Sequence, residues 1–262
     1  MTHVLVWYEN RPLPEAVEAE RQIYPSGIHG ALGSLFATQG DMEVRTATMQ
    51  DEQQGLSDAL LLWADVLVYF GHKYWREVAD DRVDAAQRRV LDGMGLVPLN
   101  SAHASKLFSR LMGTRTQCVR WREGRLTGAQ RAAGQPAPEN DGEWQRVWTV
   151  APAHPIASGL KGESFTIPKD ETYGEYFEIP TPETLVFLTT SQGGEVLRSG
   201  CCWTRGRGKV FYFASGHETF PVYHQPEIQR ILLNAVRWAA PEALPEPWPD
   251  WAREASREPD IG

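Results

Sequence analysis

Apolar residues fall along the chain in short dense runs separated by segments of helical spacing. Val4 to Tyr8 is the first such run, the more polar Val44 to Met49 reads as a second strand, and Val66 to Phe70 and Leu96 to Asn100 are the third and fourth, again mostly apolar. Near-continuous apolar runs of this length suit strands buried on both faces, as in a parallel sheet. Between them, Gly27 to Gly40 carries Ile28, Ala31, Leu32, Leu35 and Phe36 at helical spacing, and Ser57 is placed to cap a helix through Ala64. Asp80 or Asp81 is placed to cap another helix that ends near Leu91, with Arg88 and Arg89 in its last turn, where they suit the helix dipole. The rhythm is βαβαβ, which predicts a doubly wound α/β sheet with right-handed crossovers.

After Ala102 the rhythm changes. Leu111 to Asp141 is rich in Gly, Arg, Pro and Ala and holds only short strand-like pieces such as Cys118 to Arg122, so it reads as an insertion after strand four, spanning about 111–150 with a mobile tip near Gly128 to Gly142. Leu185 to Thr189, Cys201 to Thr204 and Lys209 to Phe213 then read as strands that extend one edge of the sheet. The last two are joined through Arg205, Gly206, Arg207 and Gly208 as a hairpin; the same basic residues also resemble an anion loop. Pro226 opens a helix whose Ile228, Ile231, Leu232, Ala235, Val236 and Ala239 form one stripe. The expected organisation is a single domain over residues 1–240 and a C-terminal arm over 241–262.

The 262 residues carry a formal charge of -8, with 42% hydrophobic and 23% charged residues. That composition packs a core, and the acidic balance argues against a nucleic-acid or anionic-membrane partner. The sequence opens directly into a strand with no basic leader region, and no apolar run approaches membrane-spanning length. Cys118, Cys201 and Cys202 make no disulfide framework, so a reducing cytoplasm is expected and the three thiols are read as structural. The Trp-containing tail favours a homo-oligomer.

In open α/β sheets, ligands bind beyond the carboxyl ends of the strands. His72 follows strand three, Ser101 and His103 follow strand four, and His217 and Glu218 follow the Lys209 to Phe213 strand. His29 lies in the first turn of the helix after strand one. The segment KDETYGEYF, without a clear strand pattern, adds Asp170, Glu171, Tyr173 and Glu175. Imidazole and carboxylate donors without cysteine suit Zn²⁺, Mn²⁺, Fe²⁺ or Ni²⁺, although no HExxH-type spacing is present. Ser101 stands where a nucleophile elbow would expose it, but the G-x-S-x-G pattern is missing and a helix N-cap explains it more simply. Trp75 and Trp203 are the tryptophans best placed to stack on a sugar.

The segments VLVWYE, YPSGIHGAL, LVYFGH, GMGLVPLNSAHASK, HPIASGL, KDETYGEYFEIPTP, GGEVLRSGC and GKVFYFASGHETFPVYH resemble the ThuA (trehalose-utilisation) family over almost the whole chain. The resemblance implies a flavodoxin-like, class I glutamine amidotransferase-like fold without the cysteine nucleophile, and a role in catabolism of trehalose-type disaccharides through keto-sugars. The family's acidic-Tyr motif falls on Asp170, Glu171 and Tyr173 and its GH-acid motif on Gly216, His217 and Glu218. Where the family often carries a histidine after strand four, this chain has Asn100 and retains His103.

The resulting expectation is a metal-assisted isomerase, lyase or hydrolase of a small sugar. Its divalent ion, Zn²⁺ or Mn²⁺, is expected on His29, His103 and His217, with Glu171, His72 and His217 in catalysis and Ser101, Tyr173, Glu218 and Trp75 binding substrate. The alternatives are an amidohydrolase-like enzyme using Ser101, His217 and Glu218, and a non-catalytic sugar-binding protein.

Overall fold

A computed structural model describes residues 1–12, 14, 16–122, 132–134 and 142–242. The expected arm beyond residue 242 and most of the expected tip of the insertion lie outside the described residues. Strands β1 (Thr2–Tyr8), β2 (Met42–Thr48), β3 (Val66–Phe70) and β4 (Gly95–Leu99) are all parallel, in the spatial order β2-β1-β3-β4. With β11 (Gly208–Phe213) parallel to β4, the order is that of a flavodoxin-like doubly wound sheet.

Alternation along β1 shows how the two faces are made. Val4, Val6 and Tyr8 face one core with Ile28, Leu32 and Phe36 of the helix Gly27–Ala37, while Leu5 and Trp7 face the other. Helices α1 (Val17–Ile23), α2 (Gly27–Ala37), α3 (Asp58–Trp63), α4 (Asp80–Leu91), α5 (Lys106–Met112) and α6 (Pro226–Ala239) complete the layers. The stripe of α6 packs with α2 on the first face, and α3, α4 and α5 cover the second.

Two of the expected caps move. Ser57 does cap α3, accepting the Leu60 amide at 3.3 Å, but α4 begins after Ala79 with no side-chain cap. Ser101 caps nothing: it lies in a 3₁₀ turn over Asn100–Ala104, and Ser105 caps α5 by accepting the Phe108 amide at 3.1 Å.

The sheet continues beyond β11 through the antiparallel strands β10 (Val196–Arg205), β9 (Thr184–Ser191), β6 (Glu143–Thr149) and β7 (Ser164–Asp170), which makes nine strands among the described residues. The β10–β11 hairpin turns at Gly206, which adopts φ +59°. The described part of the insertion contributes β5 (Val119–Arg122), which pairs antiparallel with β8 (Thr172–Phe177) in a separate ribbon. The KDETYGEYF segment therefore forms the end of β7 and all of β8, and their junction places Glu171 beside the carboxyl ends of the parallel strands. None of the described helices is long and apolar enough to cross a membrane.

Candidate functional site

Three chain segments far apart in sequence deliver the site. His72 stands two residues past β3, Glu171 occupies the β7–β8 junction and His217 follows β11. One ligand-type atom from each of the three lies within 4.8 Å of the others. The two imidazoles meet edge to face, with ring centroids 4.9 Å apart.

Each of these side chains is held from behind. His72 donates from Nδ1 to Glu218 Oε1 at 2.5 Å, and its Nε2 makes no hydrogen bond among the described residues. His217 Nδ1 is occupied by Thr219, 2.8 Å from the hydroxyl and 3.2 Å from the backbone amide. Trp121 of β5 donates its indole N–H to Glu171 Oε1 at 2.6 Å, and the buried Oε2 of Glu171 has no hydrogen-bond partner among the described residues.

Further supports fix the backbone. Glu9, 1% exposed, accepts the amides of Lys73 at 2.9 Å and Tyr74 at 3.1 Å and so sets the turn that carries His72. Asp170 is fully buried and bridges the amides of Glu171 and Gly216, each at 2.9 Å, tying the segment of Glu171 to that of His217. It is a brace rather than a reacting partner for Glu171. Burial pushes its carboxyl up to about 8 even though both amides favour the ionised form.

Electrostatics separate the other members. Burial would raise Glu218, but its hydrogen bond to His72 and the nearby imidazoles bring it down to about 2. His72 is drawn the other way: burial disfavours its charge, yet the Glu218 hydrogen bond and the Glu218 and Glu171 charges leave it above the ordinary histidine value. Burial, with the charge of Glu171 adding to it, holds the Tyr173 phenol far above its usual range, so this hydroxyl keeps its proton.

The strained residue of the turn after β4 is Asn100, at φ +46°, and not Ser101. Asn100 is fully buried and donates from Nδ2 to the Ala214 carbonyl at 2.9 Å. Ser101 gives its proton to Asn100 Oδ1 at 2.7 Å, and the Tyr173 hydroxyl lies 2.9 Å from Ser101 Oγ. Among the described residues no imidazole is a hydrogen-bond partner of Ser101, so the Ser101–His217–Glu218 arrangement expected of an amidohydrolase-like site is not formed.

The expected metal trio is also regrouped. Only His217 of it belongs to the cluster, where His72 and Glu171 replace His29 and His103. His29 sits in the first turn of α2 with its ring 5.8 Å from that of Tyr8, half-buried and with Nδ1 unpartnered among the described residues. His103 is 5% exposed, with Nδ1 3.0 Å from the Asn100 carbonyl and its ring among Tyr173, Phe177 and Tyr212. Burial drives its pKa down to about 4, so it is a neutral packing residue at the edge of the site.

A cleft of about 300 Å³ opens beside His72 and Glu171, lined among others by Lys73, Ser101, Trp121 and Tyr173. Trp75 is not among its lining residues and stacks with Arg76, and Trp203 is core, 1% exposed. Trp121 lines the cleft instead. The only sequence signal for it was the strand-like piece around Cys118 to Arg122. Cys201 and Cys202 are buried in β10, and burial pushes the Cys201 thiol up to about 12, which leaves it inert.

Comparison with known proteins places this arrangement. No curated protein matches the chain. Among solved structures, a ThuA-like protein from Parabacteroides merdae is 16% identical with a TM-score of 0.59, covering 94% of this chain and 93% of its own. A second ThuA-like protein, from Bacteroides uniformis, gives 16% identity, a TM-score of 0.59 and 91% coverage of both chains. A protein of Salmonella typhimurium described as cytoplasmic, STM3548, is 12% identical with a TM-score of 0.54, covering 91% of this chain and 99% of its own. These likenesses establish the shared fold. The trehalose-utilisation family matches residues 3–239, nearly the whole sequence, and the chain therefore belongs to the ThuA family.

Proposed function

We propose that the protein is a metal-assisted enzyme acting on a small sugar of the disaccharide or keto-sugar class, with His72, His217 and Glu171 as the ligands of a divalent ion, Zn²⁺ or Mn²⁺. The observation that carries this reading is the convergence of their three ligand atoms within 4.8 Å. Their surroundings agree with it: Glu218 takes the Nδ1 proton of His72 and so leaves that ring's Nε2 lone pair for an ion, and Glu171 keeps one buried oxygen unpartnered among the described residues. Two imidazoles and a carboxylate with an open position are a usual catalytic set. When bound, such an ion supplies Lewis acidity toward a substrate carbonyl or hydroxyl oxygen.

The protein's own groups divide the remaining work. Tyr173 keeps its proton and rests it on Ser101 Oγ, since the Ser101 proton goes to Asn100, and turns it to a substrate oxygen that enters the cleft. Glu218, held near 2, is too weak a base to remove a proton and instead orients His72. Glu171 lines the cleft and keeps its buried Oε2 without a hydrogen-bond partner among the described residues, which makes this carboxylate the third ligand and the acceptor for a substrate proton. Such proton transfer serves isomerisation, elimination or hydrolysis alike. The name of the Salmonella relative supports a cytoplasmic location, where three free thiols are at home.

A second reading has an observation of its own. The Thr219 amide donates to His217 Nδ1 at 3.2 Å, so Nε2 carries the ring proton and faces Glu218 Oε2 at 3.5 Å, giving a metal-free acid–base array of His72, Glu218 and His217. Elemental analysis of protein purified without chelator separates the two. The metal reading expects close to one equivalent of a divalent ion, chelator-sensitive conversion of trehalose or its keto derivative by mass spectrometry, and loss of both in His217→Ala and Glu171→Ala. Metal-free protein whose turnover ignores chelator sinks it.

A further inference from the structure

We infer that Trp121 is a sugar-binding residue of this site, its indole face receiving the apolar face of a pyranose ring while its N–H fixes Glu171. The inference rests on the sugar-enzyme reading above and adds the residue that selects a cyclic, C–H-faced substrate.

Tryptophan is ordinarily a core residue or one anchored at an interface by its N–H. Trp121 is 44% exposed, yet its polar edge is tied down at 2.6 Å to the buried carboxylate of Glu171. The ring is thus fixed at its edge while its surface stays open to a cleft of about 300 Å³, at the small end of small-molecule sites. Its strand neighbour is informative. Trp121 pairs directly with Tyr173 across the β5–β8 ribbon, so an aromatic face and a phenol hydroxyl are presented to the cleft from one ribbon. Lys73 stands at the same ring, its ammonium 5.7 Å from the centroid, and makes no ion pair among the described residues. That places a donor for ring hydroxyls beside a surface for ring C–H groups, the two chemistries a pyranose offers. The bond to Oε1 has a second effect: it fixes the Glu171 carboxylate with Oε2 as its oxygen without a hydrogen-bond partner among the described residues, so the insertion that supplies β5 completes the site.

The test uses the full chain, with trehalose binding to Zn²⁺-supplemented protein followed by saturation-transfer NMR and Zn²⁺ binding followed separately by calorimetry without sugar. Trp121→Ala is expected to weaken trehalose at least tenfold, while Trp121→Phe, which keeps a face but has no N–H, stays within about threefold of wild type. Both variants are expected to lose about 10- to 100-fold in Zn²⁺ affinity, the usual effect of removing a residue that orients a ligand. Unfolding midpoints close to wild type in both variants confirm that the exposed ring is not structural. Trehalose binding unchanged in Trp121→Ala, equally lost in Trp121→Phe, or absent from wild type overturns the inference. Absence of Zn²⁺ binding by wild type, with the trehalose pattern intact, instead counts against the metal reading and leaves Trp121 in place.

Discussion

Replacing His103 with asparagine should flatten the acid side of the protein's stability profile. The imidazole is buried among three aromatic rings, with Nδ1 at the Asn100 carbonyl, and burial holds its pKa at about 4. In the unfolded chain it titrates near the ordinary value of about 6.5. The unfolded state therefore takes up a proton that the folded state refuses, and stability falls as pH drops from about 6.5 toward 4. At about 1.4 kcal/mol per pH unit across that window, the loss from this residue alone is on the order of 2 kcal/mol by pH 5. The asparagine introduced by His103→Asn retains a donor for the Asn100 carbonyl and has nothing to titrate. Urea unfolding of wild type and His103→Asn at pH 7.5 and pH 5 measures the difference of differences, in which the other titrating groups largely cancel. The variant should lose about 2 kcal/mol less than wild type between the two pH values. Equal losses would refute the assignment of His103 as a neutral packing residue.

Three further outcomes follow from the geometry. Gly216→Ala places a Cβ 2.4 Å from the Tyr223 ring at φ +114°, so it should cost about 2 kcal/mol or more and lower Zn²⁺ occupancy by displacing the adjacent His217, read by chemical denaturation and elemental analysis. Glu9→Ala leaves the amides of Lys73 and Tyr74 without their acceptor and should destabilise by about 2 kcal/mol; a denaturation midpoint equal to wild type would contradict its role in holding the turn of His72. Ser101→Ala should lower turnover by less than about tenfold, because the Ser101 proton is given to an amide oxygen and not to a base; a loss of about 10⁴-fold would restore the serine-nucleophile alternative.

The parallel half of the sheet was legible because β1, β3 and β4 are buried on both faces and so read as unbroken apolar runs, the plainest signal a strand can give. The strands that complete the site gave no such signal. β7 buries only Ile167 and Asp170 and includes Pro168, and β8 carries charge and glycine, so the segment around Glu171 looked like a loop. Helix α1, seven residues with one buried position, lacked a stripe long enough to register. His72, Glu171 and His217 could each be singled out as rim residues, since each lies at a strand end or beside one. Which three converge depends on geometry that periodicity does not encode. His103 stands three residues past Asn100, and the 3₁₀ turn that begins there carries its ring into the aromatic core, while the β5–β8 ribbon brings Glu171 in from a segment with no strand pattern. Trp121 went unassigned because β5 emerges from a stretch whose composition suggested only an insertion.

Anomalous diffraction at the zinc edge from crystals grown with Zn²⁺ tests the central claim most directly. A single peak at about 2.0–2.2 Å from a nitrogen of His72, a nitrogen of His217 and an oxygen of Glu171 is the predicted result. A peak on His29 or His103, or none in the cleft at saturating zinc, would contradict the account.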